Sequence, residues 1–207
     1  MRKVGTKDVL AAIKKLEGFD DAVDIKNSAC VFERRKMFIQ GLLVERTPYR
    51  HAFYVWEFIY PLFHPNANLA LNFSRRIGQG GMFEGSAEDI SGQVASCIRE
   101  DGVLRDRLFR PISNKDFLAI QPLVFRHPEN FPATVVFDVA TAMVLENMTD
   151  HASKLLQHIW EKRSVCAETG LLHLLVKHLL DNMGNETIAR GVVDILAECN
   201  REHMLAR

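Results

Sequence analysis

The short connections between β-rich segments constrain the fold of this chain more than any other feature of the sequence. Three stretches rich in β-branched and aromatic residues, ACVFERRKMFIQGLLVER, HAFYVWEFIYPLF and LALNFSRRI, are separated by TPYR and HPNAN, and ERRK divides the first. A parallel crossover needs about a dozen residues or more, so connections this short favour antiparallel neighbours. The pattern predicts roughly four antiparallel strands between Ala29 and Ile77, arranged as a meander.

Helical patterns lie on both sides of this predicted sheet. Thr6 can cap a short N-terminal helix, because apolar residues recur at helical spacing after it. After the sheet, AEDISGQVASCIRE places Ile90, Val94 and Cys97 on one helical face, and Gly102 supplies a stop. The fold class predicted from these patterns is α+β, with an N-terminal helix, an antiparallel meander and a helical C-terminal half.

The C-terminal half has the pattern of a helical bundle. Apolar positions recur at helical spacing, and Gly184 separates the last two predicted helices. The predicted helices cover roughly 132–148, 150–163, 167–182 and 185–203. A proline-rich stretch precedes them and is the best candidate for a boundary. We therefore divide the chain into an α+β domain over 1–128 and a helical region over 129–207, which could also pack as one domain.

Composition argues against several classes of partner. Lysine plus arginine number 26 and aspartate plus glutamate number 26, so a net charge of zero gives no general attraction to nucleic acid. The basic run Arg99, Arg105, Arg107 and Arg110 is interleaved with acids, which is typical of a solvated surface. No apolar run reaches the roughly 18 residues of a membrane span, and the charged N-terminus has no signal-peptide pattern. We expect a cytoplasmic protein without a membrane or nucleic-acid partner.

The glycine-rich segment IGQGGMFEGSAED has the spacing of a phosphate-binding loop but not its chemistry. Gly80 and Gly85 match the GxxxxG spacing, yet Ser86 occupies the position of the required lysine. Glu84 also places a negative charge where a phosphate would lie. Ser86 and Asp89 instead have the spacing of a capping box at the start of a helix. The segment is interpreted as a linker that leads into a capped helix.

A weaker form of the anion-binding hypothesis remains for this region. Arg75 and Arg76 end the strand before the loop, and a helix N-terminus follows at Ser86. These three residues are candidate contacts for a small anionic ligand. Tyr54 and Trp56 share one face of the neighbouring strand and are candidate walls of the same pocket.

The sequence contains no recognisable metal or nucleophile motif. The four cysteines lie far apart without a CxxC pair, which favours free thiols in a reducing compartment. His151 and His158 lie two helical turns apart, and His173 and His178 point to different sides of a helix, so neither pair can share one ion. We expect no metal, no cofactor and no catalytic residue. A site assembled from distant residues is an alternative that one sequence leaves open.

Two functional hypotheses follow from these patterns. The first is a non-enzymatic protein-interaction module of adaptor or immunity type, which binds a protein partner or self-associates through apolar positions such as Val193 and Leu196. Its layout is similar to that of many small bacterial proteins, including toxin-immunity and adaptor proteins, although layout does not establish function. The second is a small anionic-ligand binder or enzyme with a site between the sheet and the loop Gly78–Gly85.

Overall fold

The computed structural model describes residues 4–25, 28–32, 37–49, 51–66, 71–78, 80–162 and 170–205. Within these ranges the chain has an N-terminal helix, an antiparallel sheet and a helical C-terminal half, which confirms the predicted α+β class. The strands are β1 (Val23–Ile25), β2 (Ala29–Phe32), β3 (Phe38–Arg46), β4 (Ala52–Pro61), β5 (Ser74–Arg76) and β6 (Phe83–Glu84). None of the described helices has the length and apolar composition needed to cross a bilayer.

The sheet is a meander in the order β1-β2-β3-β4-β5. Two short strands share the far edge of β4, because β6 pairs with its beginning and β5 with its middle. The register places Phe53 opposite Phe83, and Trp56 opposite Arg76. The predicted third strand, which is apolar on both faces, is therefore an interior strand of the sheet.

The predicted fourth strand differs from the observed one. A strand was expected to continue through Leu69, Leu71 and Phe73, but Leu71–Phe73 form a single 3-10 turn and β5 begins only at Ser74. Leu69 lies outside the described residues. The Ser74 hydroxyl donates to the Leu71 carbonyl oxygen at 2.6 Å, so a side chain closes the turn locally. This contact competes with strand geometry at a point where alternating apolar residues alone predict a strand.

Contacts between residues divide the chain into two compact units, with boundaries at 60/61, 69/70 and 111/112. The first unit combines 1–60 with 70–111, and the second combines 61–69 with 112–207. Residues 112–128 therefore group with the C-terminal helices, whereas the sequence-based division placed them with the sheet.

Three helices of the first unit cover one face of its sheet: α1 (Thr6–Ile13), α2 (Ala87–Glu100) and α3 (Gly102–Phe109). The core between them is continuous and apolar. Representative core residues are Val9, Ile13, Leu42, Phe53, Val55, Ile90, Val94 and Leu108. Burial of this apolar surface is the main contribution to the stability of the unit.

The ends of these helices confirm one predicted cap and one predicted end, and they correct another cap. Ser86 caps α2, since its hydroxyl accepts from the Asp89 amide at 3.1 Å and Asp89 accepts from the Ser86 amide at 3.0 Å. The prediction that Thr6 caps α1 is wrong, because the N-cap is Gly5, whose amide donates to the Asp8 carboxylate. Helix α2 ends at Glu100, as the predicted stop at Gly102 requires. That glycine begins α3, which is capped by the Asp101 carboxylate.

The second unit contains six α-helices among its described residues. They are α4 (Asn114–Ala119), α5 (Pro122–Arg126), α6 (Ala133–Leu145), α7 (Thr149–Glu161), α8 (Gly170–Asp181) and α9 (Glu186–Leu205). The last four lie close to the four helices predicted from the sequence. Helix α6 is buried over nearly its whole length, and α4, α5, α7 and α9 all pack against it.

A buried polar cluster attaches residues 61–66 to the helices of the second unit. His64 Nδ1 lies 2.7 Å from the Asp138 Oδ2 atom of α6, and both side chains are buried. Asn200 of α9 donates to the carbonyl oxygens of Leu62 and His64. Burial raises the pKa of Asp138 to about 6, and the contact with His64 offsets only part of this effect. The Asn200 amide satisfies two backbone carbonyl groups that would be costly to bury alone.

Candidate binding surface on β4 and β5

Two adjacent arginines at the end of β5 lie on opposite faces of the sheet. The β4–β5 register places Arg75 opposite Glu57 and Arg76 opposite Trp56. Because side chains alternate along a strand, Arg75 and Glu57 share the face covered by α2 and α3, and Arg76 and Trp56 share the other. Directly opposed side chains are close enough to interact, so Arg75 can contact a carboxylate and Arg76 can contact an aromatic ring.

Arg75 belongs to an internal ionic network. Its Nε atom donates to Glu57 Oε1 at 3.1 Å, and its Nη2 atom donates to Asp101 Oδ2 at 2.9 Å. Arg107 Nη2 lies 3.0 Å from the same Glu57 oxygen. Two guanidinium groups and two carboxylates thus balance in charge, and the network connects β4 and β5 to α3.

Burial sets the electrostatics of this network. The Glu57 side chain is 1% exposed, and burial raises its pKa although Arg107 and Arg75 act in the opposite direction. Burial also lowers the pKa of Arg107. The pKa of Asp101 is lowered, mainly by the Leu104 backbone amide that it caps. The pKa shifts of Glu57 and Arg107 are those of a structural ion pair, in which burial disfavours each charge and the partner charge offsets part of that cost.

Arg76 forms an arginine–aromatic cluster with Tyr54 and Trp56 on the opposite face. Its guanidinium carbon lies 3.7 Å from the centre of the Tyr54 ring and 4.6 Å from the centre of a Trp56 ring. The Trp56 indole nitrogen in turn donates to Glu45 Oε2 at 2.8 Å. Arg76 is exposed, whereas Tyr54 and Trp56 are half-buried. Cation–π contact with the two rings holds the guanidinium in place.

The arginine–aromatic cluster leaves the donors of Arg76 unused. Within the described part of the chain, Arg76 has no hydrogen bond and no ion pair, and its side chain contacts the two rings. Stacking occupies a face of the guanidinium plane and does not consume the N–H groups at its edge. The cluster therefore presents an oriented cation with free donors to the solvent.

A cleft of about 550 Å³ lies beside the glycine-rich loop, on the side of α2 and α3. Arg75, Arg76, Cys97, Glu100 and Asp101 are among its lining residues. The Arg76 guanidinium itself stacks on Tyr54 and Trp56, which do not line this cleft. Burial and the nearby Glu100 and Asp101 charges raise the pKa of Cys97, so its thiol is not activated as a nucleophile.

The five predicted ligand-binding residues do not converge on one pocket. The structure brings Arg76, Tyr54 and Trp56 together on one sheet face. Arg75 lies on the other face, and Ser86 is occupied with Asp89 in the helix cap. Neither Tyr54 nor Trp56 lines the cleft beside the loop.

The two predicted interface residues lie on α9 with different exposure. Val193 is 2% exposed and belongs to the core, while Leu196 is partly buried. Exposed apolar side chains do occur on the same helix, at Ile188 (44%) and Ile195 (67%). An apolar surface is thus present on α9, displaced around the helix from Val193.

Sequence reasoning did not identify the partners of the buried charges. The interleaved basic run placed Arg107 on a solvated surface, although its side chain is only 22% exposed. His64 and Asp138 were not singled out. One signal was available, since a lone acid within an otherwise apolar segment, such as Glu57 in FYVWEFIY or Asp138 in VVFDVATA, requires a buried partner.

Comparisons with known proteins do not assign this chain to a class. No family model, curated protein or solved structure matches it. Within the described ranges, no group of three or more His, Cys, Asp or Glu side chains has an arrangement suitable for a metal ion. The functional argument therefore depends on the geometry of the arginine–aromatic cluster and of the cleft.

Proposed function

We propose that this protein is a non-enzymatic protein-interaction module whose binding surface is centred on Tyr54, Trp56 and Arg76. The observation that supports this function is the exposed Arg76 guanidinium stacked on two half-buried aromatic rings. Tryptophan, tyrosine and arginine are the residue types most enriched among the energetic hot spots of protein interfaces. They combine large apolar area with hydrogen-bonding groups at low conformational cost.

The position of the cluster favours a protein partner over a small molecule. Small-molecule sites are concave and enclose most of their ligand. Tyr54 and Trp56 instead lie on a sheet face and do not line the cleft. A partner surface that covers both rings would bury apolar area and strengthen the electrostatic contact to Arg76 by removing water from it.

Affinity capture with matched arginine variants tests this function. The tagged full-length protein, Arg76→Ala, Trp56→Ala and Arg105→Ala are compared as baits in lysate of the source cells. Arg105 is an exposed arginine of the same unit and contacts no aromatic ring among the described residues, so it controls for loss of charge. We expect a specific partner that is retained by Arg105→Ala and lost in the other two variants. Equal recovery of that partner by all four baits would contradict the proposed surface.

The cleft beside the loop supports a second candidate function, the binding of a small ligand. Its volume of about 550 Å³ lies in the range of ligand sites, and Arg75 and Arg76 contribute to its lining. Thermal-shift measurements with carboxylates, phosphate esters and nucleotides test this candidate, because a ligand of the folded state raises the melting temperature. A rise that is lost in Arg76→Ala would favour the small-ligand function.

A further inference from the structure

The proposed binding surface can be assigned a partner chemistry from the contrast between the two arginines of β5. Arg75 is paired inside the protein with Glu57 and Asp101. Arg76 has no carboxylate partner among the described residues. Glu45 lies on the same face, but its carboxylate accepts a hydrogen bond from the Trp56 indole nitrogen. The surface therefore holds a guanidinium in an ordered position without supplying the group that would normally bind it.

We propose that the Tyr54–Trp56–Arg76 surface binds an acidic segment of a partner protein, with a carboxylate of that segment on the Arg76 guanidinium. This inference rests on the proposed function. A guanidinium matches a carboxylate in planar, two-bond geometry, and such pairs are stronger than neutral hydrogen bonds. Stacking on the two rings fixes the orientation of the donors, so less side-chain entropy is lost when the pair forms.

Charge balance favours a carboxylate segment over a polyanion. Nucleic acids bind through several phosphate contacts at once, and this face offers the Arg76 cation beside the Glu45 carboxylate. The formal charge of the whole chain is zero. One acidic side chain needs only one cation, which Arg76 provides, so this surface suits a carboxylate better than a chain of phosphates.

The apolar area of the two rings also favours a carboxylate that belongs to a larger segment over a free acid. An exposed ion pair in water contributes only about 0–1 kcal/mol. The half-buried Tyr54 and Trp56 provide adjacent apolar area that a free acid cannot cover. A segment with an apolar residue next to the acid would cover the rings and shield the ion pair. We therefore expect acidic and apolar residues to be neighbours in the partner.

Fluorescence titration of the full chain tests this inference. Trp160→Phe leaves Trp56 as the single tryptophan, because the chain contains two. The probes are a capped nonapeptide of alternating Glu and Phe, the same peptide with Gln in place of Glu, sodium acetate and sodium phosphate. We expect the Glu–Phe peptide to change Trp56 fluorescence saturably, with at least tenfold weaker binding for the Gln–Phe peptide.

Conservative variants make the test specific to the guanidinium. Arg76→Lys keeps the charge but loses the planar two-bond geometry, and we expect at least tenfold weaker binding of the Glu–Phe peptide. Arg105→Lys should bind like the parent. Equal binding of the Glu–Phe and Gln–Phe peptides would overturn the inference, as would no binding of the Glu–Phe peptide at 1 mM, about the weakest affinity expected of a recognition peptide.

The remaining outcomes separate this inference from the proposed function. Saturation by acetate or phosphate as strong as that by the peptide would replace the acidic segment with a small anion. If neither peptide binds while affinity capture still depends on Arg76 and Trp56, the inference of a carboxylate partner is wrong and the proposed interaction module is still supported. If capture also shows no dependence on these residues, both proposals fall.

Discussion

At the residue scale, the two arginines of β5 show how strand alternation gives identical side chains different roles. Arg75 lies beside a buried carboxylate and stabilises the fold, whereas Arg76 lies over aromatic rings on the opposite face. The contact energies are context-dependent. A charge in the interior is costly without a partner, and a surface charge gains or loses little by itself.

Replacement of Glu57 should destabilise the first unit strongly. Glu57→Gln retains the shape of the side chain but removes the negative charge that the Arg107 guanidinium, which is 22% exposed, contacts directly. We expect a loss of about 3 kcal/mol in the free energy of unfolding, near the lower end for a broken buried pair because Arg75 is 41% exposed. Urea denaturation measures the change. Glu100→Gln, an exposed position, is the control, and equal stability of the two variants would contradict the structural role of Glu57.

The buried Asp138 predicts a specific pH dependence of stability. Its pKa is raised from 3.8 to about 6, so between these values the folded state binds more protons than the unfolded state. The stabilising contribution of Asp138 to the free energy of unfolding is therefore fully present below about pH 4. It decreases as the pH rises to about 6 and does not change further above that.

Asp138→Asn isolates this contribution. The amide oxygen can still accept from His64, but it does not titrate. In the parent protein, Asp138 should lower the free energy of unfolding by an amount on the order of 2–3 kcal/mol as the pH rises from about 4 to about 6. The variant should lack this decrease. Denaturant unfolding at several pH values measures this difference. Parallel pH profiles for the two proteins would show that Asp138 has an ordinary pKa in the folded state.

At the scale of elements, periodicity predicted helices better than it predicted short strands. The last four helices and the Ser86–Asp89 cap follow from local patterns, because apolar spacing and capping residues lie within one segment. The 3-10 turn at Leu71–Phe73 does not, since a side chain–backbone hydrogen bond decides it. The pairs Glu57–Arg107 and His64–Asp138 join separate elements, so the sequence indicates that each buried acid needs a partner but does not identify which residue provides it.

The same limit applies to the candidate site. Alternation correctly placed Tyr54 and Trp56 on one face of their strand. The register that brings Arg76 rather than Arg75 to that face depends on pairing between two strands. Register is set by turns and by burial of whole faces, and local composition does not determine it.

Helix α9 provides a prediction at the element scale. Val193→Asp would place a charge in the core, and we expect a loss of several kcal/mol or a failure to fold. Ile195→Asp changes a side chain that is 67% exposed, so the stability should change by about 0.5 kcal/mol or less. Urea denaturation compares the two. A large loss in Ile195→Asp would show that its side chain is packed in solution.

At the scale of the whole molecule, the first unit carries the arginine–aromatic cluster and the second contains a helix with apolar residues on its exposed side. The sequence-based hypothesis of an interaction module named Val193 and Leu196 of that helix. The geometry favours the sheet face, because Arg76 is already oriented there with free donors, and Val193 is buried. The central claim is therefore that the partner contacts the sheet face of the first unit.

Site-specific photo-crosslinking tests this claim most directly. A photoreactive phenylalanine analogue is placed at Tyr54 in one full-length protein and at Ile195 in another, and adducts are identified in source cells. The account predicts a discrete adduct from position 54 that disappears when Arg76→Ala is added and persists with Arg105→Ala. Adducts from position 195 alone would contradict the account, because they would identify α9 as the binding surface.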